Sequence, residues 1–293
     1  MAENGVFRRP NANLWFGKSE KPLCLTFALR SILKILETEI LRRRIIQDLL
    51  FEREFSDEAA KIHYFHEVGS TMDIARELAR KGCPDFTVLV AGSQKQGRGR
   101  LNRAWLSSEG GLWFSIVIRP KIPPEMICRI NFCASLTLVK TLRRMFGIDA
   151  MVKWPNDILV DEKKITGMLS EMEADGDKVS FVNIGIGINV NNDPSVEEPK
   201  ASSLKKILGR EVSGKELLAE FLDDFEARMN GGDFENVISQ WKEYSITLNR
   251  QVKIVTTHET SEGIAVNVDE DGALILRLDD GSLRRVIYGD CFL

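Results

Sequence analysis

The sequence predicts an α+β fold: a mixed sheet flanked by helices, followed by a small antiparallel β-barrel. Three observations predict it. Strand-like and helix-like stretches mix without the strict alternation of a doubly wound sheet. Glycine and proline stops cut them into short elements. From about Leu248 the helical pattern gives way to four short alternating strands, with Asp271–Gly272 and Asp280–Gly281 as hairpin signals.

At 293 residues the chain has room for one large domain and a small one. We divide it into an N-terminal extension over 1–60, a catalytic-looking domain over 61–246 and a C-terminal domain over 247–293. A net charge of −3 and a pI near 5.8 argue against wholesale nucleic-acid binding, while leaving room for a local basic patch. Cys24, Cys83, Cys128, Cys133 and Cys291 form no C-x-x-C pair. Scattered cysteines in odd number read as free thiols in a reducing compartment. No stretch has the uninterrupted apolar length of a membrane span, and no cleavable signal pattern opens the chain. The expectation is a cytoplasmic protein without membrane association.

The elements follow in order. Residues 1–22 are polar. From Leu25 to Leu50, Leu29, Ile32, Leu33, Leu36 and Ile40 follow helical spacing, with Arg30, Lys34 and Arg42–Arg43–Arg44 forming a basic side. No turn signal marks a second, recognition-type helix, so this reads as a packing or dimerisation helix. "GSTMDIARELARKG" is a helix starting at Ser70 or Thr71 and stopping at Gly82. "TVLVAG" (87–92) and "LWFSIVIRP" (112–120) are strands on either side of a loop. "NFCASLTLVKTLRRMFG" (131–147) is a helix with a glycine stop. "MVKWPNDILV", "KKITGMLSEM" and "FVNIGIGINV" are strand-like runs at short spacing. Ser213 and Glu216 form a capping box for a helix ending at Asn230–Gly231. "QVKIVT", "EGIAVNV", "ALILRL" and "LRRVIYG" are the four C-terminal strands. His63 and His66 read as ordinary strand residues rather than ligands.

Three stretches carry chemistry. "QKQGRGRLNRAW" (94–105) places Lys95, Arg98, Arg100 and Arg103 on a loop with no acid, spaced by Gly97 and Gly99. Glycine lets main-chain N–H groups approach a ligand closely, and arginine presents a planar fork suited to carboxylate and phosphate. Such a loop can fold over an anionic ligand; a solvated basic loop is the ordinary alternative. In "KWPNDILVDEKKITGM", Pro155 fixes a turn, and Asn156–Asp157 follow it beside Lys153 and Trp154. Asx-turn chemistry competes with a metal- or amine-orienting role for this pair. Lys164 reads in isolation as a surface lysine. In "IGIGINV", Gly185 and Gly187 bare one face of a strand, so a neighbouring backbone or a flat ring packs closely there.

In this order, "ST", "GRGRxxRxW", "KWPND", "KxxG" and "GxGxN" resemble the biotin–protein ligases over roughly residues 62–293. The resemblance implies a mixed sheet like that of class II synthetases and lipoate ligases, with an SH3-like C-terminal domain. It implies that ATP and biotin give biotinyl-5′-adenylate and pyrophosphate, and that biotin then passes to one lysine of a carrier domain, the biotin carboxyl carrier protein. Mg²⁺ accompanies the nucleotide. By the same resemblance Ser70, Thr71 and Gln94 hold the biotin ureido end. Gly97, Arg98, Gly99, Arg100 and Arg103 serve carboxyl and phosphate, and Trp105 walls the adenylate. Lys164 contacts the biotin carboxyl or the adenylate phosphate. Gly167, Gly185 and Gly187 line the biotin slot, with Asn189 on the nucleotide side. Lys153, Asn156 and Asp157 serve phosphates, Mg²⁺ and the incoming lysine. Catalysis falls to Lys164, Arg98, Arg100 and Asp157, and the metal, if protein-held, to Asp157.

Met72 stands where the family has asparagine, and Asn102 where it has glycine; asparagine tolerates left-handed geometry, so the second change is expected to be mild. The extension lacks the helix-turn-helix of the ligases that double as repressors, so ligase activity without specific DNA binding is expected. A homodimer is compatible with the resemblance. The rival readings are a lipoate or octanoate ligase, a non-catalytic biotin-sensing regulator and an RNA-binding protein.

Overall fold

The computed structural model describes residues 62–293, apart from 177, 232, 233 and 235. The predicted helix between Leu25 and Leu50, with the rest of the 1–60 extension, lies outside the described residues.

The strand reading of His63 and His66 falls within β1 (Ile62–Val68), which pairs in parallel with β2 (Thr87–Gln94). Leu112–Ile118 (β3) is apolar except for Ser115 and buried throughout, as a central strand must be. It pairs antiparallel with β2 on one side and with β7 (Lys178–Ile188) on the other. The predicted run "MVKWPNDILV" is two strands, β4 (Met151–Lys153) and β5 (Asp157–Val160), folded back on each other through a turn at Trp154–Asn156. With β6 (Lys163–Asp175) they complete a seven-stranded sheet of order β1-β2-β3-β7-β6-β5-β4. One parallel pair among antiparallel ones makes the sheet mixed, as the sequence predicts.

Two layers of helix cover it. α1 (Thr71–Arg80) buries Thr71, Met72, Ala75 and Ala79, four positions on one helical face. That face lies on Leu89, Val117 and Phe181. Against the other face pack α2 (Cys128–Phe146), α4 (Gly214–Asn230) and α5 (Val237–Glu243). Phe114, Phe221, Phe225 and Trp241 are fully buried there, each contributing roughly 2–3 kcal/mol of transfer free energy. Ser213 caps α4, accepting from the Glu216 amide at 3.2 Å. α2 starts three residues earlier than the sequence suggests, and the short helices α3 (Leu204–Leu208) and α5 were not expected.

The C-terminal part forms a five-stranded antiparallel sheet, SH3-like, from β8 (Gln251–Val255), β9 (Thr260–Val268), β10 (Leu274–Arg277), β11 (Leu283–Val286) and β12 (Asp290–Phe292). Its turns sit at Gly272 (φ 79°) and Gly281 (φ 81°), where left-handed backbone favours glycine. The sequence suggests four strands; the fifth, β12, is too short to carry a period and pairs with β8 at long range. One apolar core runs from the main sheet into this one, taking in Val252, Ile254, Leu274, Leu276 and Cys291. Trp154 fastens the junction: its indole donates to Gly272 O at 3.0 Å, and its amide to Thr247 Oγ1 at 2.9 Å. Among the described residues no helix is long and apolar enough to cross a membrane.

Candidate active site

The basic loop leaves β2 and returns on itself. A bridge pairs Gln94 with Ser107, a second pairs Arg98 with Ala104, and Trp105 N donates to Gly97 O at 2.9 Å. Gly97 is buried; a Cβ there would strike Trp105 O and stand 2.6 Å from Ser107 Oγ, so the turn closes only on glycine. At the tip the left-handed residue is Leu101 (φ 52°), next to Asn102.

Every cation of this loop meets a partner from elsewhere. Lys95 pairs with Glu67 at 2.6 Å. Arg98 pairs with Asp73 of α1 at 2.9 Å and with Glu171 of β6 at 2.8 Å. Arg100 donates to Asn156 Oδ1 at 3.0 Å and to Gly289 O at 2.7 Å, and Arg103 pairs with Asp290. The loop is thus tied to both the helix layer and the C-terminal sheet. Burial holds the Arg100 guanidinium below its ordinary range, against the pull of Asp290 and Asp157. It stays charged, as arginine does in proteins.

The start of α1 supplies the polar end. Ser70 is the N-cap, yet its hydroxyl makes no capping bond; it is buried, without a partner, and lines the cavity. Thr71 gives both its amide (2.8 Å) and its hydroxyl (3.1 Å) to Gln94 Oε1. Gln94 Nε2 donates to Ser107 Oγ at 2.8 Å.

The floor is bare strand. Gly167 of β6 lies opposite Gly187 of β7, and Gly185 lies between Ser115 of β3 and Leu169 of β6. A Cβ on Gly187 would collide with the Trp105 indole, one on Gly167 would come within 2.8 Å of it, and one on Gly185 within 2.6 Å of Met72 Sδ. The flat ring the twin glycines suggest is therefore, in this structure, the indole of Trp105. Trp105 meets Trp113 edge to face, with centroids 6.4 Å apart.

At the charged end, Lys164 Nζ pairs with Asp157 Oδ1 at 2.8 Å and lies 5.0 Å from the centre of the Trp105 ring. Neither group is exposed enough for the plain surface reading of Lys164, whose side chain is 32% exposed, with Asp157 at 19%. Asn156 does not make an Asx turn; its amide donates to Met168 O and its carbonyl receives Arg100. Lys153 has no carboxylate at ion-pair distance among the described residues. Cys291 lines the cavity beside these groups, and burial pushes its thiol up to about 11.

One cavity of about 350 Å³ gathers these groups. Of the predicted residues, Ser70, Thr71, Gln94, Arg98, Gly99, Arg100, Arg103 and Trp105 line it, as do Lys153, Asn156, Asp157, Lys164, Gly167, Gly185, Gly187 and Asn189. Gly97 does not; it serves the loop's turn. The sequence reading missed Pro194, Glu198, Lys200 and Ala201, which follow β7, and Asp290 and Phe292 of β12. Lys164 N donates to Lys200 O and Ser202 N to Lys164 O, both at 2.9 Å, which lays that segment along the wall. Only a pairing across some 37 positions brings it there, and no local signal marks it. For a metal, no three His, Cys, Asp or Glu side chains cluster among the described residues. Asp157 alone suits Mg²⁺ only when nucleotide phosphates supply the other ligands.

The model of the biotin/lipoate A/B protein ligase family matches residues 64–189, and that of the biotin protein ligase C-terminal domain matches 247–293. The bifunctional ligase/repressor of Bacillus subtilis is 37% identical over 236 residues, which cover 77% of this chain and 72% of that protein. The chain belongs to the biotin protein ligase family. Within that family, the biotin–[acetyl-CoA-carboxylase] ligase of Paracoccus denitrificans is 31% identical over 199 residues, 64% of this chain and 83% of its own. A biotin protein ligase from Aquifex aeolicus, solved in complex with biotin and ATP, matches the fold with a TM-score of 0.67. It is 29% identical, and the match covers 78% of this chain and 96% of that one. As a member of the biotin protein ligase family, the chain carries both family segments, and the cavity draws its lining from each.

Proposed function

We propose that the protein is an ATP-dependent biotin–protein ligase, a biotin–[acetyl-CoA-carboxylase] ligase. The observation that carries this reading is the single cavity where a hydrogen-bonding end, a bare glycine floor and a cationic end meet under one loop. Biotin lies with its ureido ring toward Ser70, Thr71 and Gln94 and its chain over Gly167, Gly185 and Gly187. Its carboxylate then reaches Lys164.

In the first step a carboxylate oxygen attacks the α-phosphorus of ATP, the bond to the bridging oxygen breaks, and pyrophosphate leaves. Two anions must meet, so fixed positive charge lowers the barrier. Lys164 exchanges Asp157 for the carboxyl and phosphate oxygens, Arg100 stands beside it, and the unpaired Lys153 meets the phosphates. Arg98 reaches them only by giving up Asp73 and Glu171. Asn189 serves the nucleotide side. Asp157, together with the nucleotide phosphates, would hold Mg²⁺, and the ion would supply positive charge to offset that of the departing pyrophosphate. The loop, tied down by Arg98, Arg100 and Arg103, keeps water from the mixed anhydride. In the second step a lysine amine of a biotin carboxyl carrier domain attacks the acyl carbon. The carbon–oxygen bond to phosphate breaks, AMP leaves, and Asp157 accepts the proton the amine sheds.

Of the two chemistries the first family model spans, the match to the biotin protein ligase C-terminal domain favours biotin over lipoate. The reaction is cytoplasmic and proceeds without specific operator binding; protection of a biotin-gene promoter in a footprint by the full chain would overturn the latter. Streptavidin blotting of a carrier domain after incubation with ATP, Mg²⁺ and biotin tests the ligase reading. Labelling is expected; an unlabelled carrier, or lipoylation of the carrier seen by intact mass when lipoate replaces biotin, would overturn it.

A further inference from the structure

The hydrogen bonds at the polar end of the cavity, fully buried between Ser115 and Thr71 and part-buried elsewhere, have one self-consistent direction. Thr71 N lies 2.8 Å from the Gln94 carboxamide, and a backbone amide only donates, so the atom it faces is Oε1. Nε2 is thereby turned to Ser107 Oγ at 2.8 Å. Thr71 Oγ1 lies 3.1 Å from the same Oε1, which cannot donate, so the threonine hydrogen goes to Gln94. Ser115 Oγ lies 2.8 Å from Thr71 Oγ1. Thr71 has no second hydrogen to give, so Ser115 donates. Ser107, receiving from Gln94, donates to Trp105 O at 3.1 Å.

Ser115 and Ser107 do not line the cavity; they act through the residues that do. Ser115 is fully buried, opposite Gly185, in an otherwise apolar strand. A buried serine commonly satisfies itself on its own backbone. This one is spent on a side chain of the cavity wall. With the chain of bonds in place, Thr71 faces the cavity with a lone pair and no hydrogen. Gln94 keeps one Nε2 hydrogen. Ser70 Oγ is buried and uncommitted.

We propose that Ser115 and Ser107 are positioning residues that lock Thr71 as an acceptor and Gln94 as a donor, so that the cavity selects acids presenting an N–H beside a carbonyl oxygen. The inference rests on the ligase reading, in which that end is a cyclic urea. A site built around committed polar groups rejects a ligand lacking the matching hydrogen, because its own buried group is then left unpaired.

The test is biotin-dependent ATP–pyrophosphate exchange by the full chain. Substrates are biotin and its two cyclic-carbamate analogues, each with one ring N–H replaced by oxygen. The wild type is expected to reject one carbamate by roughly 100-fold. In Ser115→Ala the KM for biotin rises about 10-fold while kcat and the KM for ATP stay within about twofold. Discrimination against that carbamate falls about fivefold, because the Thr71 hydroxyl is then freer to turn and donate. Ser115→Cys keeps the shape with a weak donor and should follow the alanine variant. A cysteine variant with wild-type KM and discrimination would reduce Ser115 to packing and overturn the proposal, as would an unchanged biotin KM in Ser115→Ala. Should Ser115→Ala not fold, Ser107→Ala decides the matter: freeing Gln94 raises the biotin KM about fivefold, and an unchanged value overturns the proposal. A wild type with no biotin-dependent exchange would sink the ligase reading itself, whereas an active wild type with indifferent variants sinks only this inference.

Discussion

The two ends of the cavity are built on opposite principles. At the polar end Ser115, Thr71 and Gln94 donate in turn along a largely buried relay that ends at Ser107, whose own hydrogen goes to Trp105 O. At the charged end three cations are partly exposed and paired with the chain's own acids: Lys164 with Asp157, Arg98 with Asp73 and Glu171, Arg103 with Asp290. A buried polar relay is costly to break, since each orphaned group carries its full desolvation penalty. A half-exposed ion pair is worth about 0–1 kcal/mol and can be traded for another anion at little cost. Shape and hydrogen-bond direction are therefore fixed in advance, and electrostatic contacts are exchangeable. The acids hold the loop across the cavity, and under the proposed function they stand in the places the ligand's anions would take.

The largest effect is expected at Lys164. Lys164→Ala removes the cation proposed to change partner, and we expect a loss of about 10²–10³-fold in biotin-dependent pyrophosphate exchange. The melting temperature should barely move, because the pair is partly solvated. Gly187→Val places a branched side chain where the Trp105 indole lies. Biotin affinity by calorimetry should fall about 100-fold, overpacking costing roughly 1–3 kcal/mol. Glu171→Gln weakens the anchor of Arg98 and, with it, the loop; trypsin should cut after Arg100 or Arg103 about fivefold faster in the variant. Salt sharpens the contrast without mutation. Raising ionic strength from about 0.05 M to 1 M should raise the KM for ATP severalfold and leave that for biotin nearly unchanged, since screening acts on charges and spares the relay. The smallest effect concerns Cys291. With its thiol pushed up to about 11 by burial, little thiolate exists at neutral pH. Iodoacetamide at about pH 8 should leave it unmodified in the folded protein, as read by peptide mass spectrometry, and alkylate it in denaturant.

Much of this was legible in the residues, where the signal was local. The loop between two strands, the turn at Pro155 and the bare face of Gly185 and Gly187 follow from period, proline and glycine alone. The polarity of the charged end was not. Arg98 finds its acids 25 positions before it and 73 positions after, and no sequence pattern announces such pairs. The wall at Lys200 and Ala201 and the strand β12 depend equally on long-range pairing. Ser115 carried a weak signal: a lone hydroxyl at an inward position of "LWFSIVI" has to spend its hydrogen somewhere. Met72, flagged only as a departure from the family pattern, turns out to cover Gly185 with its thioether, so the substituted position helps shape the slot.

A crystal structure of the protein with a non-hydrolysable biotinyl-adenylate analogue tests the central claim most directly. We expect Lys164 Nζ and the Arg100 guanidinium at about 3 Å from the acyl-phosphate oxygens, the Lys164–Asp157 pair parted, and the bonds among Ser115, Thr71, Gln94 and Ser107 unchanged. An analogue bound with Lys164 still on Asp157, or with Gln94 turned away from Thr71, would contradict it.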